Sequence, residues 1–369
     1  MPEHGRISSV QLFLLLYITE ISTTFLIIPG VLAKEAGTDS WLVSLVPVTV
    51  YGLAVALVCV SLAGRFPNQV FTEYLPRVAG RCPGKILAAA YIFFFVHVAA
   101  VILSQGANYI HTAFLRETPL LAIELLLLSV AVYGVYLGIE VIARQNTLVF
   151  ALFMFSLLLL VTFVLEHFSF KNLLPVLENG MFPVLKASAL IISWRGEVFF
   201  ILMLYPYLNR KQEALRTASG VVVFSGISQS AITLVATGVF GAALLPNMVF
   251  SIHELVRYIS IGFLERMEVF IVVIWVAGLI VKLAIFIHAA STAAAHTLGL
   301  KNYRWFIVPA TLAALVLSET IFRTSLQQHE FFTGMGRYYA SIFQLLLPGL
   351  LLFTAVIRKR RDRAGAEKT

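Results

Sequence analysis

Apolar runs close to 20 residues long recur from one end of this chain to the other. As a helix, each is long enough to span a hydrocarbon core of about 30 Å. Composition points the same way: 59% of residues are hydrophobic and 12% charged, where soluble domains carry roughly 45–50% and about 25%. The chain therefore reads as an all-α polytopic membrane protein. Ten spans are expected, near 10–32, 41–63, 86–112, 119–138, 144–166, 184–206, 217–242, 267–292, 303–322 and 338–357. The first run has no small-residue cleavage site behind it, so it reads as a retained helix and not a signal peptide. Cys59 lies in an apolar run and Cys82 in a charged loop, which implies neither a disulfide framework nor a metal site.

Lysine and arginine orient the spans. With the N-terminus in the cytoplasm, 17 of the 27 fall inside and 8 outside, while Arg195 and Lys282 lie within spans. Both termini then lie on the cytoplasmic side. The net charge of +8 belongs to this topology and not to nucleic acid. An internal repeat is also visible. P-N-x-V-F occurs at Pro67 after the second span and at Pro246 after the seventh, 179 residues apart. Glu20 precedes Pro29 by nine residues, as Glu197 precedes Pro206, and the glutamates are 177 apart. Two five-span halves of opposite orientation are the pattern of an inverted-topology repeat. The halves are 10–166 and 184–357, followed by a basic cytoplasmic tail over 358–369.

Two spans are interrupted by polar residues. "TEISTT" (Thr19–Thr24) breaks the first and "SWRGEV" (Ser193–Val198) the sixth. Breaks at membrane depth are tolerated where the freed backbone faces protein or a water-filled cavity. Half-helix N-termini favour a carboxylate, while C-termini and unwound carbonyls favour an ammonium or a cation. An amino acid zwitterion carries both charges. Gly196 suits a bend or close approach to a ligand, and Ser22, Thr23, Thr24 and Ser193 can satisfy loose backbone groups.

A charge at a helix centre costs about 2.5–3.5 kcal/mol on insertion scales. Glu20, Arg195, Glu197 and Lys282 should therefore face the bundle interior and pair. Gly278, Lys282 and Phe286 share one face of the eighth span, so Lys282 is expected to neutralise Glu20 or Glu197, either in a pocket or as a plain register pair. Two readings stand for Arg195, snorkelling outward or an outer gate; ligand contact is not expected of it. In the third span, His97, Val101, Ser104, Asn108 and His111 form a stripe that marks a protein-facing side. Phe94 and Val98 lie beside the stripe, offering apolar contact to a ligand. "SGISQS" (Ser225–Ser230) reads as helix-packing glue. Asn68–Val78 and Ile252–Phe263 read as short interfacial helices. The chain has no Walker A, H-E-x-x-H or G-x-S-x-G motif and no clustered metal spacing, and nothing supports an enzyme or a cofactor.

Several segments carry a resemblance: "FLERMEVFIVVIWVAGLIVKLAIF" (Phe263–Phe286), "GEVFFILMLYPYL" (Gly196–Leu208), "FPNQVFTEYLPRVAGRCPGKIL" (from Phe66) and "NLLPVLENG" (Asn172–Gly180). Together they resemble the B subunit of spore germinant receptors, the GerAB/GerKB-like family of the amino acid–polyamine–organocation (APC) superfamily, over essentially the whole chain. The resemblance implies a LeuT-like five-plus-five inverted repeat with broken first and sixth helices. It also implies germinant binding in the spore inner membrane, often of an amino acid, together with an A subunit and a lipoprotein C subunit. By matching position, the pocket would comprise Ser22, Thr23, Thr24, Phe94, Val98, Ser193, Gly196, Glu197, Lys282 and Phe286. Amino acid-binding members tend to have a glycine-rich first break, where this chain has "EISTT". That lining leaves room for another amino acid, a sugar or nucleoside, or sensing shared with a partner subunit. Three roles stand open: a germinant sensor without turnover, a proton- or sodium-coupled amino acid transporter, and an assembly scaffold.

Overall fold

The computed structural model describes residues 5–257, 267–321, 327 and 331–366. The described chain is almost wholly helical, and nine helical stretches in it are long and apolar enough to cross a membrane. The first expected span is not among the nine, because it is broken. Its first half is α1 (Ser9–Ile21) and its second half α2 (Ile28–Ala36). At 1.5 Å per residue neither half spans the core alone. A positive φ of 56° at Gly37 turns the chain into the second span, α3 (Ser40–Leu45) and α4 (Pro47–Ala63). The remaining helices are α5 (Phe71–Ala79), α6 (Arg81–Ala113), α7 (Leu120–Leu137), α8 (Ile139–Val164), α9 (Phe182–Arg195), α10 (Ile201–Leu204), α11 (Ala214–Leu244), α12 (Ser251–Arg257), α13 (Met267–Thr297), α14 (Ile307–Ile321), α15 (Arg337–Ser341) and α16 (Leu347–Ala366).

The sixth span breaks where the sequence changes character. α9 ends at Arg195, and a 3-10 segment over Gly196–Phe200 leads into α10. The tenth span is irregular too, with π-helical segments at Phe332–Gly336 and Ile342–Leu346 on either side of α15. A π turn adds a residue to the helical repeat and disturbs the i→i−4 ladder, so nearby carbonyls need other donors. Tyr91 donates its hydroxyl to the Phe343 carbonyl at 2.7 Å, and the Cys59 thiol lies 3.8 Å from the Gln344 carbonyl.

Each P-N-x-V-F segment leads into a short helix, α5 on one side and α12 on the other. α12 holds the first break in place. The Leu26 carbonyl, freed by the break, accepts from Ile252 N and Ser251 Oγ, both at 3.3 Å. Of the interfacial helix expected over 252–263, positions 258–263 lie outside the described residues. So do Arg266, Arg323 and 367–369, and of the basic tail only the helical backbone to Ala366 is described.

Exposed and buried faces divide as a bilayer requires. α8 exposes Leu148, Leu152, Phe155 and Leu158, a face suited to lipid. α6, 33 residues long, is buried over most of its middle and lies against α13. Close approach there depends on Gly106, where an added Cβ would stand 2.7 Å from Leu279 Cδ1. Gly106→Val should therefore overpack this contact and cost about 1–3 kcal/mol, read as a lower melting temperature in detergent. Leu279→Ala in the same chain should recover part of the loss.

Candidate functional site

Glu20, Arg195, Glu197 and Lys282 are buried and form two ion pairs, and both pairs meet at the break of the sixth span. Arg195 Nη1 lies 2.7 Å from Glu20 Oε2, with the residues 5% and 1% exposed. Ser225 Oγ donates to the same carboxylate oxygen at 2.5 Å and accepts from Arg195. Lys282 Nζ lies 2.7 Å from Glu197 Oε2 and donates to Thr23 Oγ1 at 2.7 Å. Lys282 thus neutralises Glu197 and not Glu20.

Arg195 does not snorkel: its head turns inward and pairs with Glu20, as the interior pairing of the charges expects, and its stem lies over Gly52 of α4. A Cβ on Gly52 would come within 2.5 Å of Arg195 Cγ. Ser225 does more than pack: it completes the Glu20–Arg195 pair. Ser230 does act as glue, donating to the Trp41 carbonyl at 2.7 Å.

A small cavity of about 50 Å³, partly open at the surface, lies between the third, sixth, eighth and tenth spans. Of the residues that the resemblance assigns to a pocket, Phe94, Val98, Ser193, Glu197 and Phe286 line it, while Gly196 and Lys282 do not. His97 and Val101 of the third-span stripe line it too, while Ser104 and Asn108 are bonded to each other along α6. The wall is mainly aromatic, and Glu197 supplies a carboxylate already balanced by Lys282.

The structure does not bring the first-span residues to this cavity. Thr23 is engaged by Lys282, and its carbonyl accepts from Gln105 Nε2 at 3.3 Å. Thr24 Oγ1 bonds back to the Glu20 and Ile21 carbonyls at 3.1 and 3.0 Å. Ser22 is fully buried outside the lining. The carbonyls loosened at Thr23 and Leu26 thus already have protein donors. A smaller cavity, about 10 Å³, lies across Trp194, and Glu20, Thr24, Arg195 and Gln229 are among its lining. Trp194 borders both cavities.

The tenth span was not expected at the site, yet Gly336, Tyr339, Ala340 and Gln344 form one wall. Gln344 donates its amide to the Ser193 carbonyl at 2.7 Å. Gly196 leaves the room this needs, because a Cβ there would overlap the Gln344 amide and come within 3.2 Å of Tyr51. The available signal in the sequence was a glutamine inside "ASIFQLLLPG", a polar side chain at membrane depth.

Comparisons with known proteins agree with this architecture. Residues 6–325 match a family model described as spore germination protein. Spore germination protein KB of Bacillus subtilis (strain 168) is 28% identical over 99% of this chain and 99% of its own length. Spore germination protein GerQB of Bacillus cereus is 20% identical over 98% of this chain and 99% of its own length. Among solved structures, MhsT in complex with L-phenylalanine superposes with a TM-score of 0.69 at 14% identity, covering 92% of this chain and 87% of MhsT. A Na+-coupled sialic acid symporter, substrate-bound and outward-open, gives 0.65 at 11% identity, covering 94% and 88%. Likeness at that identity concerns the fold: all-α, LeuT-like, with five-plus-five inverted topology and broken first and sixth helices.

Breaking a buried pair leaves an uncompensated charge, at a cost of about 3–5 kcal/mol. Arg195→Met should therefore lower the melting temperature of the purified protein strongly. Glu20→Gln added to it should restore most of the loss, which a double-mutant cycle in detergent would measure.

Proposed function

The chain belongs to the spore germination protein family, and from that premise we propose that it is the germinant-sensing subunit of a spore germination receptor. It binds a small nutrient in the aromatic-lined cavity and passes the bound state to partner subunits, an A subunit and a lipoprotein C subunit. The observation that carries this reading is Glu197. The carboxylate sits at the helix break, lines the cavity and is held by Lys282, which also grips the first-span break at Thr23. A ligand that competes for Glu197 acts on both broken helices at once.

An amino acid is the ligand class this chemistry favours. Its ammonium suits Glu197, and an apolar side chain suits Phe94, Val98 and Phe286. A solved structure of the same fold holding L-phenylalanine supports the reading. We place the protein in the spore inner membrane with both termini cytoplasmic, supported by the bias of lysine and arginine among the connections. The runner-up is a proton- or sodium-coupled amino acid transporter. It is favoured by the Lys282 ammonium between the first and sixth breaks, a position in which a fixed cation would stand in for a coupling ion.

The test uses the purified chain in liposomes and a panel of labelled amino acids, sugars and nucleosides. A sensor should show saturable binding without accumulation under a proton or sodium gradient. Gradient-driven accumulation would make the chain a transporter. Lys282→Met should abolish the response while leaving the protein in the membrane, or shift its pH dependence, because Glu197 is left buried without its partner. An unchanged response at unchanged abundance would remove Lys282 from the signalling path.

A further inference from the structure

The Gln344 side chain is 2% exposed and borders the main cavity. Its orientation is decided by its partner: the Ser193 carbonyl is an acceptor, so the NH2 group must face it, and Oε1 lies against Gly196, where an added Cβ would overlap it. Oε1 is buried and has no donor among the described residues. A buried carbonyl left without a donor is unfavourable, and here it lies beside Gly196, the neighbour of Glu197, in a residue that lines the same cavity as Glu197. Its backbone fixes its position, since Gln344 lies in the π-helical segment Ile342–Leu346, whose neighbouring carbonyls are taken by Tyr91 and Cys59. Two acceptors, a carboxylate and an amide oxygen, thus border one aromatic-walled space.

We propose that Gln344 is a specificity-determining ligand contact, with its Oε1 and the Glu197 carboxylate forming a subsite for the ammonium group of an amine ligand. The inference rests on the amino acid reading above and names the group that the site selects. Its Nε2 meanwhile ties the tenth span to the end of α9. A ligand drawn to Oε1 therefore pulls on the link between these two spans. Glycine at 196 is part of the same device. Its φ of −67° and ψ of −11° are ordinary helical values that alanine adopts without strain. The cost of a Cβ there is its overlap with the Gln344 amide.

The experiment is isothermal titration of the full chain in nanodiscs. The probes are L-phenylalanine and L-leucine, each beside its des-amino analogue, 3-phenylpropanoate and 4-methylpentanoate. The wild type should bind at least one amine tenfold or more tighter than its analogue. Gln344→Leu and Gly196→Ala should each lower that ratio by about tenfold, the scale of one hydrogen bond to a charged group. Gln344→Glu, which keeps an acceptor, should hold the ratio or raise it. Gln344→Met carries the same expectation as Gln344→Leu if the branched side chain prevents folding. A purely structural Gln344 would alter affinity for amine and analogue alike and leave the ratio unchanged; that result overturns the subsite alone. No saturable binding of either amine by the wild type overturns the amino acid reading and the subsite with it.

Discussion

Two buried ion pairs hold the broken spans together, and the rest of the interior is arranged around them. A single charge at a helix centre is costly in lipid, and four lie close together here. Glu20 is taken by Arg195 and Ser225, while Glu197 is taken by Lys282. Arg195 and Glu197 flank Gly196, so one break in the sixth span serves both pairs. Lys282 also donates to Thr23, which connects the eighth span to both breaks. Removing any one of these groups leaves its partner buried without compensation, which is the expensive case.

This arrangement decides where open space remains beside the breaks. The loosened carbonyls of the first break are satisfied by Gln105, Ile252 and Ser251, so that break acts as a rigid anchor. The open space lies on the other side of the sixth span, against the third, eighth and tenth. Trp194 stands between this space and the smaller one beside Glu20. The Glu20–Arg195 pair and the larger space are thus separated by a single side chain.

Helix membership and helix breaks were legible in the sequence because both depend on local properties. A run of 20 apolar residues needs no partner to declare itself, and polar residues or glycine within such a run mark a place where backbone must be satisfied otherwise. Phe94, Val98, Ser193, Glu197 and Phe286 could be assigned to a cavity on those grounds together with a family resemblance. The choice of Glu197 over Glu20 for Lys282 was not legible. Both glutamates lie at matching depths of their spans, and only the packing of α13 against the breaks distinguishes them. The direction of Arg195 was open for the same reason: a long side chain can snorkel or turn inward, and the space over Gly52 that receives it exists only once α4 is in place.

By itself, the sequence determined the membrane environment, the ten-span plan, the opposed halves and the two breaks, because hydropathy, charge bias and repeat spacing are written along one dimension. The tertiary structure alone decided which charges pair, that Ser22 and Thr23 lie outside the main cavity while Thr24 borders only the smaller one, and that the tenth span forms a wall of the main cavity through Gln344. Those outcomes depend on distances between segments far apart in the chain. The Gln344–Ser193 hydrogen bond joins positions 151 residues apart, and the Glu20–Arg195 hydrogen bond positions 175 apart. No local pattern encodes such separations; they are set when side chains compete for the same buried space.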